Sequence, residues 1–291
     1  MSDREIHILT CKRDFEDFLL TIKTFYLFNK VNWKLVVHSD GSLGPSEASI
    51  IKDTIENCRI VSLEEAQDVV LPALKPYKYC YEIRRDYLNT HIKQMFLKVF
   101  DPLLLCDSNY YITLDSDVFT YDRCDRLIAL VNDQTPFYHG GGWGCLKYPV
   151  SIEKLHKEGF KPVGNLNAGL IGISKDMFDL ELCDRFYKLL KDNPNQISKM
   201  GMFYTGEEEP LFSCLMGACV KHKVLWAGPH DYFTPEYAKY GPNEKYYGIG
   251  QHPNVCVLSH FVGNTFLELG RKHARLKLEN FSGKINNKED I

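Results

Sequence analysis

Asp115 and Asp117 flank Ser116 directly after the apolar run Tyr110, Tyr111, Ile112, Thr113, Leu114. Two carboxylates one residue apart repel each other unless a cation or a proton lies between them, so the pair reads as part of a divalent-metal site. The competing reading is a turn in which one Asp caps the next helix. Val118 and Phe119 follow at once, however, and they are poor turn residues. Three more groups lie downstream: Asn167-Ala168-Gly169, Glu207-Glu208-Glu209 and His260. Two carboxylates and an imidazole suit a divalent ion that keeps positions open for substrate oxygens. Such an ion, bridging a diphosphate, would offset the charge growing on a leaving group.

Each group also has a plainer reading. His260 lies in an apolar run, where a satisfied core histidine is common. Asn167-Ala168-Gly169 can be a strand entry with a close backbone approach, and the three glutamates a solvated helix amino terminus. Trp143, within Gly140-Gly-Gly-Trp-Gly144, offers a flat apolar face for stacking a ligand ring or covers the core from a turn.

The elements that must position these groups alternate. Residues 6–10, 33–38, 59–63, 110–114, 136–139, 166–174 and 255–261 read as strands, rich in β-branched and aromatic side chains. Helical spacing predicts helices from Asp14, as cap, to residue 28, from Pro45 to about residue 57, and over 91–100 and 123–131. Two more run from Asp176, as cap, to about residue 190 and over 206–215, where Pro210 falls in the first turn. Residues 72–88 read as a loop or irregular helix, and 148–164 as a surface excursion. The alternation argues for an α/β fold, a mostly parallel central sheet flanked by helices. Ligands of such sheets bind outside the carboxyl ends of the strands, where all four groups can converge.

Composition narrows the field. The chain has 291 residues, 44% hydrophobic and 25% charged, as expected of a globular protein with a sizeable core. A net charge of −3 gives no global basic field for nucleic acid, which is not an expected partner, or for an acidic membrane. The ten cysteines include no CxxC pair and lie among apolar residues, so they read as buried thiols in a reducing compartment. No signal-peptide layout opens the sequence, and Glu16, Asp17 and Lys23 break its most apolar early segment. A cytoplasmic protein is expected, one that would reach membrane-linked material from the surface.

The order of LDSDV after a strand, then LNAG, then an acidic cluster before Pro-Leu-Phe, then SHFVG resembles the GT-A fold glycosyltransferases, most closely the glycogenin and lipopolysaccharide galactosyltransferase group. It spans the chain from the first strand to Gly263. The resemblance implies a Rossmann-like nucleotide-diphospho-sugar transferase fold. It also implies metal-dependent transfer of a hexose, with retention, from a UDP-linked donor to a hydroxyl on a glycan, lipid or protein. Asp115, Asp117 and His260 would hold Mn²⁺ or Mg²⁺. Thr10, Asp40, Lys93, Asp115, Ser116, Asn167, Ala168, Gly169 and Gly263 would contact the donor, with Thr10 and Asp40 near base and ribose. Glu207 and Glu208 would be catalytic, and Glu209 and Trp143 would face the acceptor. One domain is implied, with a donor half over about 1–131, an acceptor half over about 132–282 and a frayed tail at 283–291.

Two departures stand out. The family's Lys-Pro-Trp after its distal histidine motif is replaced by Asn264-Thr265-Phe266, so its diphosphate-gripping lysine is missing or its role passes to Arg271 or Lys272. The acidic cluster is all Glu where the family often carries Asp and Gln. Because a Glu can serve as general base for an acceptor hydroxyl, both a retaining and an inverting outcome stay open, with retention favoured by the resemblance alone. Rival readings are a haloacid-dehalogenase-like phosphatase, whose Asp-x-Asp also follows a strand, and a non-catalytic sugar-nucleotide-binding protein. The phosphatase normally carries its motif on the first strand, with a later lysine and acidic pair. A sugar nucleotidyltransferase would need a Gly-rich loop where this chain has Thr10-Cys-Lys-Arg-Asp14.

Overall fold

Seven strands form the central sheet of this computed structural model, in the order β3-β2-β1-β4-β7-β6-β8. Residues 4–86, 96–140, 150–164, 166–193, 208–219, 221–226, 232–233, 258–260, 268, 270–272 and 274–280 are described. β1 (Glu5–Thr10) pairs in parallel with β2 (Lys34–Ser39) and β4 (Tyr110–Leu114), and β2 with β3 (Cys58–Val61). β7 (Leu166–Ser174) runs antiparallel to β4 and to β6 (Phe137–Gly140), and β8 (Lys223–Trp226) joins β6 in parallel. The mostly parallel α/β architecture expected from the alternation is therefore present.

Period-2 alternation divides the buried side chains between two faces. Ile6, Ile8, Leu35, Val37, Ile112 and Leu114 pack against Phe18, Ile22 and Phe25 of α1 (Phe15–Asn29). Val36, Tyr111, Ile171 and Ile173 face the other way, toward helices that contribute Val70, Val99, Phe186 and Leu215. Those helices are α3 (Leu63–Leu74), α5 (Leu97–Leu105), α8 (Leu180–Lys191) and α9 (Glu208–Ala218). Each such side chain contributes about 1.5–3 kcal/mol on burial. Burial on both faces explains why the strands read as continuous apolar runs.

Several local expectations shift. Of residues 72–88, read as a loop or irregular helix, those described to 86 are largely helical: α3 runs to Leu74 and α4 (Lys78–Arg85) follows. Asp184 caps α4 from a distance, accepting from Tyr79 N at 2.6 Å and Cys80 N at 3.0 Å. Arg84 faces the core and forms a buried two-pronged pair with Asp101 of α5, at 2.7 and 2.9 Å. Asp14 precedes α1 without capping it, because its carboxylate takes Arg13 and Cys11 instead. Asp179 rather than Asp176 caps α8, accepting from Leu182 N at 3.0 Å, while Asp176 sits in a single 3₁₀ turn.

The 148–164 segment contains a helix, α7 (Ile152–Lys157), capped by Ser151. The helix expected over 91–100 is described from residue 97 and continues to Leu105. β2 begins at Lys34, and β10 (Leu258–His260) lies within the strand expected over 255–261, the rest of which is outside the described residues. The eight described cysteines are all free thiols. No described helix is long and apolar enough to cross a membrane.

Candidate active site

The Asp115-Ser116-Asp117 triplet is half-exposed between two fully buried stretches, β4 on one side and residues 118–121 on the other. Strand burial thus fixes the backbone up to Leu114 and again from Val118, and leaves the triplet between as the accessible rim. Thr21 of α1 holds that rim from below, its hydroxyl donating to Ser116 O at 2.7 Å. Asp115 N donates to Gly169 O at 2.9 Å. The antiparallel register Leu114↔Leu170 explains this contact, since it carries the start of β7 past the end of β4.

Asn167, Ala168 and Gly169 therefore lie beside Asp115. Asn167 Oδ1 accepts from Gly169 N at 2.9 Å, which pins the strand entry. Ala168 N donates to Glu209 Oε1 at 3.2 Å and ties β7 to the first turn of α9. Glu209, assigned from the sequence to the acceptor, is thus engaged with the backbone of the Asn-Ala-Gly segment. Its neighbour Glu208 is only 2% exposed, and its Oε2 has no hydrogen-bond partner. Burial, against the pull of Lys98 and helped by Glu209 and Asp115, pushes the Glu208 carboxyl up to about 8.

Lys98 is the site residue that sequence reasoning missed. It opens α5, is 4% exposed, and its Nζ lies 2.5 Å from Asp115 Oδ1. Burial works against the charge of its ammonium group. The Asp115 carboxylate outweighs that, with Glu208 adding to it when ionised, and raises the lysine's pKa. The signal was in the run Phe96-Leu97-Lys98-Val99-Phe100: a helix apolar all round must bury whatever charge it carries, and a buried lysine needs a carboxylate. Lys93, the basic residue assigned to the donor, lies outside the described residues, as do Trp143, Glu207 and Gly263.

Thr10 and Asp40 end adjacent parallel strands at the same edge of the sheet, with Asp40 N 3.4 Å from Thr10 O. Thr10 is 3% exposed and its hydroxyl has no hydrogen-bond partner. Asp40 Oδ1 accepts from the backbone and hydroxyl of Ser42 at 2.9 and 2.5 Å, which shapes the turn.

A second, three-stranded sheet has the order β5-β10-β9, where β5 (Val118–Thr120) leads directly out of the motif and β9 is Tyr232–Phe233. β10 runs antiparallel to β5 with His260 opposite Val118, so the backbone of His260 is one position from being level with Asp117. The guanidinium of Arg271 grips Asp17 of α1 at 2.5 and 2.8 Å, and Lys272 beside it is exposed.

The chain is similar in fold to the galactosyltransferase LgtC, solved in complex with donor and acceptor sugar analogues. The two are 13% identical, with a TM-score of 0.54 over 94% of this chain and 95% of that one. It is also similar to the apo form of the glycosyltransferase GlyE of Streptococcus pneumoniae TIGR4, at 13% identity and a TM-score of 0.52. That match covers 97% of this chain but 64% of GlyE, so the chain spans somewhat less than two thirds of that protein. The shared architecture is the GT-A fold. No protein-family model matches the sequence, and no curated protein matches it.

Proposed function

We propose that this protein is a metal-dependent glycosyltransferase that moves a hexose from a nucleotide diphosphate sugar, UDP-linked, to a hydroxyl on a glycan, lipid or protein, with retention. The observation that carries the reading is the convergence of Asp115, Lys98, Glu208 and the start of β7 on one edge of a GT-A sheet. The phosphatase reading is not favoured: the motif follows the fourth strand rather than the first, and Asp115 is tied to a lysine on the helix before it.

The donor set fits a divalent cation, Mn²⁺ or Mg²⁺. Asp115 and Asp117 offer hard oxygens on a half-exposed rim, and His260, on the strand that pairs with residues 118–120, would be the third ligand. When bound, the ion would neutralise the diphosphate leaving group. Lys98 orients the Asp115 carboxylate and adds a fixed positive charge beside it. Thr10 and Asp40 would take the base and ribose, with Asp115 and Ser116 shared between metal and nucleotide. Asn167, Ala168 and Gly169 would line the sugar pocket. Glu208 Oε2 would accept the proton of the acceptor hydroxyl once the carboxyl is ionised. Glu207, Glu209, Trp143, Lys93 and Gly263 complete the proposed catalytic, acceptor and donor assignments.

We assign the whole chain to one domain, with a donor half to about residue 131 and an acceptor half beyond it, working in the cytoplasm. A thermal-shift screen of nucleotide sugars with and without Mn²⁺ tests the donor and the ion together, because a ligand that binds only the folded state raises its melting point. Slow release of nucleoside diphosphate without acceptor separates a transferase from a pure binder. Asp117→Ala should abolish that release; release at the wild-type rate would overturn the proposal.

A further inference from the structure

At the other end of β1, about 17 Å from Thr10 at about 3.3 Å per residue, a second set of chemically capable side chains meets. Glu5 and His7, two apart on one face of β1, approach Cys106, which leads into β4. The three are 3%, 1% and 4% exposed. One donor atom from each lies within 4.8 Å of the other two. His7 Nδ1 is 2.8 Å from His38 Nε2, which occupies one ring nitrogen. The other, Nε2, has no hydrogen-bond partner and points at Glu5 Oε2, 3.5 Å away.

We propose that Glu5, His7 and Cys106 form a zinc site that clasps β1 to the segment entering β4. A thiolate, an imidazole and a carboxylate are zinc donors, whereas magnesium and manganese avoid sulfur. Bonds of about 2.0 Å to nitrogen or oxygen and about 2.3 Å to sulfur place tetrahedral donors about 3.3–3.5 Å apart. His7 and Glu5 already meet that spacing. Cys106 Sγ, 2.7 Å from Glu5 Oε2, has to swing outward by less than about 1 Å.

The surrounding contacts suit a ligating role. Glu5 Oε2 is steadied by the backbone N–H groups of Asp107 and Ser108, at 2.8 and 3.3 Å. His38 supplies the outer partner that fixes the tautomer of a metal-bound imidazole. Lys34, 3.0 Å from Glu5 Oε1, and Arg59 both also pair with Asp107, which offsets their charge. Zn²⁺ with one carboxylate and one thiolate is neutral. Binding expels the Cys106 proton to solvent, and water fills the fourth position. The site shares no residue with the candidate active site, so it stands or falls independently of the transferase reading.

The test is metal content. Protein dialysed against zinc and then buffer is expected to retain about one equivalent per chain by mass spectrometry, and Asp117→Ala should retain the same. Cys106→Ser and His7→Gln should each lose it at least tenfold while keeping the far-ultraviolet circular dichroism of the wild type. Cobalt loaded into the wild-type protein should give a sulfur-to-cobalt charge-transfer band, a readout that needs no variant. Absence of that band, or equal zinc retention in Cys106→Ser, would leave Glu5–His7–His38 as a metal-free core relay and overturn the proposal.

Discussion

Lys98 Nζ stands 2.5 Å from Asp115 Oδ1, so the helix before the motif strand supplies the countercharge for the motif's first carboxylate. Asp115 and Glu208 both bias Lys98 toward its charged form. One ammonium group therefore serves two carboxyl groups that reach it from different elements. This links the end of β4 electrostatically to the start of α9.

Replacing Lys98 by Met removes that charge and keeps most of the volume. Transferase activity is expected to fall about 100-fold, the scale seen when one preorganised electrostatic group is deleted. Lys98→Arg should restore part of it, which a purely packing role would not predict. Steady-state kinetics on the donor identified by the screen, with melting temperature as a control, measures both.

The carboxyl of Glu208 is raised from 4.5 to about 8, chiefly by burial. Between those two values the folded state holds a proton that the unfolded chain releases. The resulting stability is therefore complete below about pH 4.5 and is lost as pH rises through about 8. Glu208→Gln, a neutral isostere, should gain on the wild type as pH rises from 5 to 8.5 in urea-melt series. Asp101, raised to about 6 by burial against the pull of Arg84, slopes the same way in both proteins and cancels in the difference. Parallel curves for the two proteins would contradict the assignment.

His260→Ala tests the closing strand. If this imidazole is the third ligand, the Mn²⁺ concentration giving half-maximal stabilisation with the donor should rise at least 10-fold, since even outer partners of a metal site are worth about 10–100-fold in affinity. The melting point without metal should move little. A titration by thermal shift reports both numbers.

Gly172 sits in mid-β7, where an added Cβ would run into Tyr110 Oη and the Phe137 ring. Gly172→Ala should cost about 1–3 kcal/mol, the range for overpacking a core. Urea denaturation should show a lower midpoint with an unchanged slope. Because β7 also carries Asn167–Gly169, activity should fall by more than the folded fraction does.

The parallel strands and the strand carrying the Asp-x-Asp motif were legible because both of their faces are buried, so local composition and tertiary role agree. α4 was not legible because the residue that anchors its inner face is Arg84. The partner that makes that charge tolerable, Asp101, is visible only once α5 is in place. Lys98 escaped notice while Lys93 was chosen because both fall in the helix expected over 91–100, and the partner that makes a buried Lys98 tolerable, Asp115, lies on another element. Asp14 and Asp176 look as good as Asp179 as caps. What decides among them is which neighbouring groups compete for each carboxylate. The clustering of β4, β7 and α9 was foreseeable as convergence at a strand end, but the contact of Asp115 with Gly169 needs an antiparallel partner that alternation does not reveal.

The order in which the two sheets are encoded has a consequence for synthesis. All seven strands of the large sheet precede residue 227, whereas the strand facing the motif begins at Leu258. A ribosome can therefore have extruded all seven strands of that sheet, with Asp115 and Asp117, before residues 258–260 emerge. Chains halted in that interval would carry the large sheet without the strand that pairs with Val118–Thr120.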